Sequence, residues 1–347
     1  MTRALITGIT GFVGSHLTDF LLEQTDWEIY GLTRWRSPLN NLQQHLGRIE
    51  KGDRLFLLNG DLRDQSSLKS AVEKSDPDYV FHLAAQSYPQ VSFTNPLLTL
   101  DTNINGTERL LGAIRNHAPE AQVHVCASSE VFGRVSRDKL PINEECSFHP
   151  ASPYAISKVG TDLIGRYYAE AYGMKVQTTR MFTHTGPRRG DVFAESTFAK
   201  QIALIEAGKI PPIIKVGNLD SLRTFADVRD AVRAYHMLVT VDPIPGAYYN
   251  IGGDTTRTIG QMLDTLIDLS PSLARHFSPG LDQDVTLVKV ETDPARLRPI
   301  DADLQVPDTR KFREHTGWYP QFTFERTMAD LLDYWREKVR DRDYLTR

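Results

Sequence analysis

Short apolar runs alternate with longer helical patterns through the first half of the chain. Ala4-Leu5-Ile6 is an apolar run of the kind found in a strand buried on both faces. Phe12, Val13, Leu17, Phe20, Leu21 and Leu22 then recur at helical spacing. Further strands are expected at Glu28–Leu32, Leu55–Asn59, Tyr79–His82, Val123–Ala127 and Val176–Met181, with helices at Ser66–Lys74, Leu97–Asn116 and Tyr154–Tyr172. This alternation predicts an α/β fold. Its core would be a doubly wound parallel sheet covered by helices on both faces, with ligands at the carboxyl ends of the strands.

The pattern changes after about Phe182. Pro211-Pro212, Pro243, Pro245, Gly252-Gly253, Pro271, Pro279 and Pro294 cut the remainder into short pieces. The expected organisation is a dinucleotide-binding domain over 1–181 and a smaller α/β substrate-binding lobe over 182–347. The boundary is discontinuous, because the chain is expected to return to the sheet within 220–252, through Asp227–Val239 and a strand near Ala247–Ile251.

Composition narrows the function classes. The 347 residues are 40% hydrophobic and 24% charged, as in a chain with a packed core, and the formal net charge is −4. Basic clusters are only two or three residues long, so no nucleic-acid partner is expected. No apolar run approaches a membrane span. Met1-Thr2-Arg3 runs directly into the first strand without a signal sequence, and a cytoplasmic location is expected. The two cysteines, Cys126 and Cys146, form no metal-like cluster, and no metal is expected.

Chemistry enters with the turn after the first strand, Thr7-Gly8-Ile9-Thr10-Gly11-Phe12-Val13-Gly14. Strand, glycine turn and helix in this order form a Rossmann-like phosphate-binding unit. Gly8 allows the turn, Gly11 lets backbone approach a pyrophosphate, and Gly14 lets the helix pack close to the strand. The first-turn N–H groups, including those of Phe12 and Val13, then face the phosphates.

Tyr154 and Lys158 are four apart and share one face of a helix. An ammonium beside a phenol favours phenolate, and so does a cationic nicotinamide ring, which makes the pair a usable general base. Such a pair also arises by chance on many helices; its place at the start of the helix after the fifth strand favours function. Ser128-Ser129-Glu130 lies at the carboxyl end of that strand, where ligands bind. These three residues fit either substrate contact or a turn cap. Together the three segments describe a nicotinamide-dependent site with a phenol base, a lysine and an adjacent carboxylate.

Beyond these segments, the chain resembles extended short-chain dehydrogenases/reductases, and within them the GDP-mannose 4,6-dehydratase group. The resemblance runs nearly end to end. It is carried by Asp61-Leu62-Arg63-Asp64, His82-Leu83-Ala84-Ala85-Gln86-Ser87, Gly186-Pro187-Arg188-Arg189-Gly190, Gly217-Asn218-Leu219-Asp220-Ser221-Leu222-Arg223, Arg298-Pro299 and Gly317-Trp318. GDP-4-keto-6-deoxy-sugar reductases share much of it, including a Ser-Ser-Glu-like segment, so the resemblance marks the family more sharply than the reaction. The resemblance implies that Asp61 and Leu62 contact adenine and that Ala84, Ala85 and Gln86 line the cofactor channel. It further implies that Ser128, Tyr154 and Lys158 serve the redox step and Glu130 the neighbouring carbon. Ser87, Ser129, Thr183, Arg188, Arg223 and Arg298 would contact substrate, the last two at the diphosphate. Relatives often carry Asn in a Phe-Asn-His segment where this chain has Phe182-Thr183-His184.

The resemblance implies a GDP-sugar 4,6-dehydratase acting on mannose or a manno-heptose, with the reductase and a non-catalytic nucleotide-binding protein as rivals. It also implies a homodimer or homotetramer. For the cofactor, Tyr30-Gly31-Leu32-Thr33 runs into Arg34-Trp35-Arg36-Ser37 with no acid to meet a ribose 2′-hydroxyl. Arg34 and Arg36 there predict NADP over NAD, with Arg34 the stronger contact. The alternative is an exposed basic loop, which in similar enzymes can reach a neighbouring subunit.

Overall fold

The first strand sets the frame because its side chains alternate between two cores. In the computed structural model, which describes residues 1–275, 285–298 and 302–341, β1 spans Arg3–Thr7. Pro279 and Pro299 lie outside the described residues. Ala4 and Ile6 join a core on one face of the sheet and Leu5 joins the core on the other.

Strands β2 (Glu28–Thr33), β3 (Leu55–Asn59), β4 (Tyr79–His82), β5 (Gln122–Cys126) and β6 (Val176–Met181) follow. Later come β7 (His184–Thr185), β8 (Ile213–Val216), β9 (Leu222–Asp227), β10 (Tyr248–Ile251) and β11 (Thr255–Thr258). Seven strands form one parallel sheet in the order β3-β2-β1-β4-β5-β6-β10. The chain winds outward from β1 to β3, then restarts at β4 on the other side of β1. That reversal opens a crevice at the carboxyl ends of β1 and β4.

Helix α1 (Phe12–Gln24) and the Val228–Thr240 helix cover one face. The Gln65–Ser75, Gly106–His117 and Pro153–Tyr172 helices cover the other. The smaller lobe has its own core. The Ala194–Glu206, Ile259–Asp268 and Phe324–Arg340 helices pack there with β8. Trp335 Nε1 donates to Ser196 Oγ at 2.8 Å within it. Strand β9 pairs antiparallel with β11 and parallel with β7 and with Leu304–Gln305.

The structure departs from the expected Leu97–Asn116 helix. The segment is helical from Pro96 to His117, but Asp101–Asn105 widens into a π turn. Buried Asn103 explains the widening. Its Oδ1 accepts the Gln86 N–H at 2.8 Å, and its Nδ2 donates to the Gln86 carbonyl at 3.0 Å and to Ser157 Oγ at 2.9 Å. The extra residue aims one amide at both the loop after β4 and the helix carrying Tyr154. Turns of this kind often lie near functional sites. Among the described residues, no helix is long and apolar enough to cross a membrane.

Candidate functional site

The glycine turn opens the cleft. Gly8 has φ +75°, in the left-handed region, and a Cβ there would lie 2.9 Å from Ala84 Cα. A Cβ on Gly14 would lie 2.2 Å from the Gly8 carbonyl oxygen, so only glycine lets α1 start this close to β1. Gly11 caps α1 without a side-chain hydrogen bond, and no acid occupies the first turn. Backbone N–H groups and the positive helix end therefore meet the cleft without a competing carboxylate, which fits a bound pyrophosphate.

A cleft of about 860 Å³ runs from this turn into the smaller lobe. Gly8, Gly11, Phe12, Val13, Gly14, Arg34, Asp61, Leu62, Ala84, Ala85 and Gln86 line it. Ser87, Ser128, Ser129, Glu130, Tyr154, Lys158, Thr183, Arg223 and Arg298 also line it. Asp61 is hydrogen-bonded by Arg63, which holds its carboxyl below the usual range, and Arg34 adds to that field. Arg36 does not line the cleft. Its guanidinium lies 4.6 Å from the ring of exposed Trp35.

Ser128 follows β5 and caps the turn Ser129–Phe132, its Oγ accepting the Glu130 N–H at 3.2 Å. Tyr154 is the second residue of its helix, which Pro153 starts and Ser152 caps by accepting the Ala155 N–H at 3.0 Å. Burial pushes the Tyr154 phenol well above its ordinary range. The Ser128 hydrogen bond and the Arg189 charge act the other way, against Cys126 and Glu130. Lys158 lies one turn along and donates to the Cys126 carbonyl at 2.6 Å. Burial lowers its ammonium below the usual lysine range. The Glu130 carboxylate meets Arg298 at 3.7 Å.

Arg188 turns away from the cleft. It has φ +69° and pairs with Asp19 on α1 at 2.7 Å. Arg189 enters instead. It lies 3.6 Å from the Phe193 ring and 5.2 Å from the Phe12 ring, and pairs with Glu195 at 3.3 Å. His184 stacks on Phe12 with ring centroids 5.9 Å apart, and burial lowers its pKa to about 4. Sequence reasoning missed Arg189, Glu195 and Asn103. The double arginine after Gly186-Pro187 was the only signal for the first of them.

A serine, a tyrosine and a lysine beside a carboxylate, opening onto a glycine turn at a helix start, suit oxidation of a hydroxyl with a proton step nearby. Comparison with known proteins places the chain. The family described as GDP-mannose 4,6 dehydratase matches residues 5–331. GDP-mannose 4,6-dehydratase of Yersinia enterocolitica is 32% identical over 353 residues, covering 96% of this chain and 93% of that protein. GDP-6-deoxy-D-mannose reductase of Pseudomonas aeruginosa is 29% identical over 340 residues, covering 98% and 99%. Among solved structures, RMD from Pseudomonas aeruginosa complexed with NADPH superposes with a TM-score of 0.79 at 27% identity, covering 97% of this chain and all of that one. By sequence over nearly its whole length, the chain belongs to the GDP-mannose 4,6-dehydratase family.

Proposed function

We propose that this protein is a GDP-sugar 4,6-dehydratase that converts GDP-mannose or a GDP-manno-heptose to the GDP-4-keto-6-deoxy sugar. The observation that carries this reading is Glu130, a carboxylate in the same cleft as Tyr154 and Lys158 and within reach of Arg298. A reductase does not need a base at C5, and net consumption of cofactor separates the two.

The residues divide the work. Gly8, Gly11, Phe12, Val13 and Gly14 would hold the pyrophosphate of NADP, Arg34 its 2′-phosphate, and Asp61 and Leu62 its adenine. When bound, the nicotinamide supplies a hydride acceptor for sugar C4 and later a hydride donor for C6. Tyr154 takes the proton of the C4 hydroxyl. Ser128 hydrogen-bonds the same oxygen, and Lys158 favours the phenolate. The C4 ketone acidifies the C5 proton, which Glu130 removes. The C6 hydroxyl departs as water with the proton that Glu130 took from C5, and as C6 is reduced C5 takes a proton that balances the one Tyr154 took from the C4 hydroxyl. The hydride lost at C4 equals the hydride gained at C6, so no reductant is consumed. Arg223 and Arg298 grip the diphosphate.

The test is to incubate the protein with GDP-mannose and with a GDP-manno-heptose, without added reductant, and to weigh the products. Loss of one water from either sugar supports the reading and names the substrate. Stoichiometric NADPH oxidation with a 4-keto sugar, and no water loss from the parent sugars, supports the reductase. The reading also includes a homodimer or homotetramer in the reducing cytoplasm. Exposed Leu97, Ile156, Leu163 and Tyr167 on two helical segments in contact support self-association, and both cysteines are free thiols. Light scattering that returns a monomer mass would remove the oligomer.

A further inference from the structure

Glu130 and Arg298 approach one another from opposite walls of the cleft. Glu130 stands on the large sheet, in the turn that Ser128 caps after β5. Arg298 is delivered by the smaller lobe. There the Asp293 N–H donates to the carbonyl of Val216 in β8 at 2.8 Å, and Asp293 caps the Pro294–Arg296 turn by accepting the Ala295 N–H at 3.0 Å. Gly217 lets that turn sit close, since a Cβ there would lie 3.0 Å from the Arg296 carbonyl oxygen. Arg298 Nη1 and Glu130 Oε1 are 3.7 Å apart. That is an ion pair too long for a hydrogen bond, held by charge and not by a fixed geometry. A contact of this kind is readily exchanged for a better anion, and a phosphate offers a guanidinium two oxygens at once.

We propose that Glu130 and the diphosphate of the nucleotide sugar compete for Arg298, so that substrate binding itself releases the base. Without substrate, Arg298 neutralises the Glu130 carboxylate and ties the two walls together. With the diphosphate in place, the guanidinium turns to the phosphates and leaves the carboxylate to act at C5. Arg298 is then a positioning residue for Glu130 as well as a phosphate ligand. A sugar lacking the diphosphate would leave the base engaged. This inference rests on the GDP-sugar reading above.

Calorimetric titration of the NADP-loaded protein with GDP, and with guanosine as a probe lacking phosphate, tests it. E130Q should tighten GDP about two- to fivefold, the scale on which a partly exposed ion pair competes. It should leave guanosine unchanged. Damage to the fold would not tighten binding. In an R298A background, or R298Q should alanine unsettle the wall, the gain from E130Q should vanish. If E130Q leaves GDP affinity unchanged, or tightens it equally without Arg298, the competition is overturned while the GDP reading stands. If the parent protein does not bind GDP at all, that reading falls and the competition falls with it.

Discussion

The Lys158 ammonium donates to the carbonyl of Cys126 at 2.6 Å, so the lysine is fastened to the strand end from which Ser128 and Glu130 project. The helix carrying Tyr154 and the strand carrying its partners are thereby tied at the reacting centre. In the proposed reaction the lysine acts through its charge and through this tie, and Ser128 is the neighbour that favours the ionised phenol.

Tyr154 and Glu130 should fail at different steps. Y154F should abolish the first hydride transfer. E130Q should still show reduced nicotinamide on adding a GDP-sugar, yet lose solvent deuterium at C5. General acid–base roles are worth about 10²–10⁴-fold in rate, so single-turnover absorbance and mass measurements resolve the difference. An E130Q variant with unchanged turnover would remove Glu130 from the mechanism.

The buried phenol also fixes a pH dependence. Burial raises the Tyr154 pKa and the Ser128 hydrogen bond lowers it. As the proposed base, Tyr154 acts as phenolate, so kcat/KM should rise with pH from neutral into the alkaline range. S128A removes a contact that favours phenolate and should move this limb to higher pH. A limb that stays in place would show that Ser128 serves only as a turn cap.

Cofactor preference should separate the two loop arginines. Arg34 lines the cleft, whereas Arg36 lies against exposed Trp35. R34A should weaken NADP binding about tenfold or more, as expected for a charged hydrogen bond of about 1.5–3 kcal/mol, and leave NAD nearly unchanged. R36A should change either affinity by less than about threefold. Fluorescence titration of stripped protein decides it, and equal loss of both cofactors in R34A would assign the arginine to the loop itself.

Three buried histidines and the half-buried His184 predict acid sensitivity. Burial lowers His16 and His184 to about 4, and His82 and His124 to about 3, from the ordinary 6.5. Each is neutral in the fold and binds a proton more readily once unfolded. Their contribution is therefore complete above about pH 6.5 and is lost as pH falls toward 4 and then 3. The melting temperature should drop between pH 7 and 5, with proton uptake on unfolding measured in buffers of different ionisation enthalpy. A flat profile with no uptake would contradict it.

Much of this was readable from local pattern. Ala4-Leu5-Ile6, the glycines and the helical repeat from Phe12 specify β1, its turn and α1, because neighbouring residues alone decide them. The four-residue spacing of Tyr154 and Lys158 likewise needs only a helix. The split between Arg188 and Arg189 was not readable. Two identical neighbours are told apart by one backbone angle, φ +69° at Arg188, and by an acid on a distant helix, Asp19. The π turn at Asp101–Asn105 was hidden for a similar reason. Its cause is Asn103 reaching Gln86 and Ser157, contacts far apart in sequence. In the smaller lobe, the Ala194–Glu206 and Phe324–Arg340 helices escaped notice beside the more prominent prolines.

Asp19 carries a consequence of its own. It stands on the side of α1, where it looks like an ordinary surface acid, yet Arg188 at 2.7 Å and His45 at 2.6 Å both grip it. The Asn40–His45 turn and the loop before Arg189 are thus moored to the helix that begins at the glycine turn. These three pieces share a single pivot, so their spacing is set from outside the cleft. Damage at that pivot would shift Arg189 against the glycine turn and spoil alignment while both cores stayed intact, the signature of a lesion that spares folding and costs turnover.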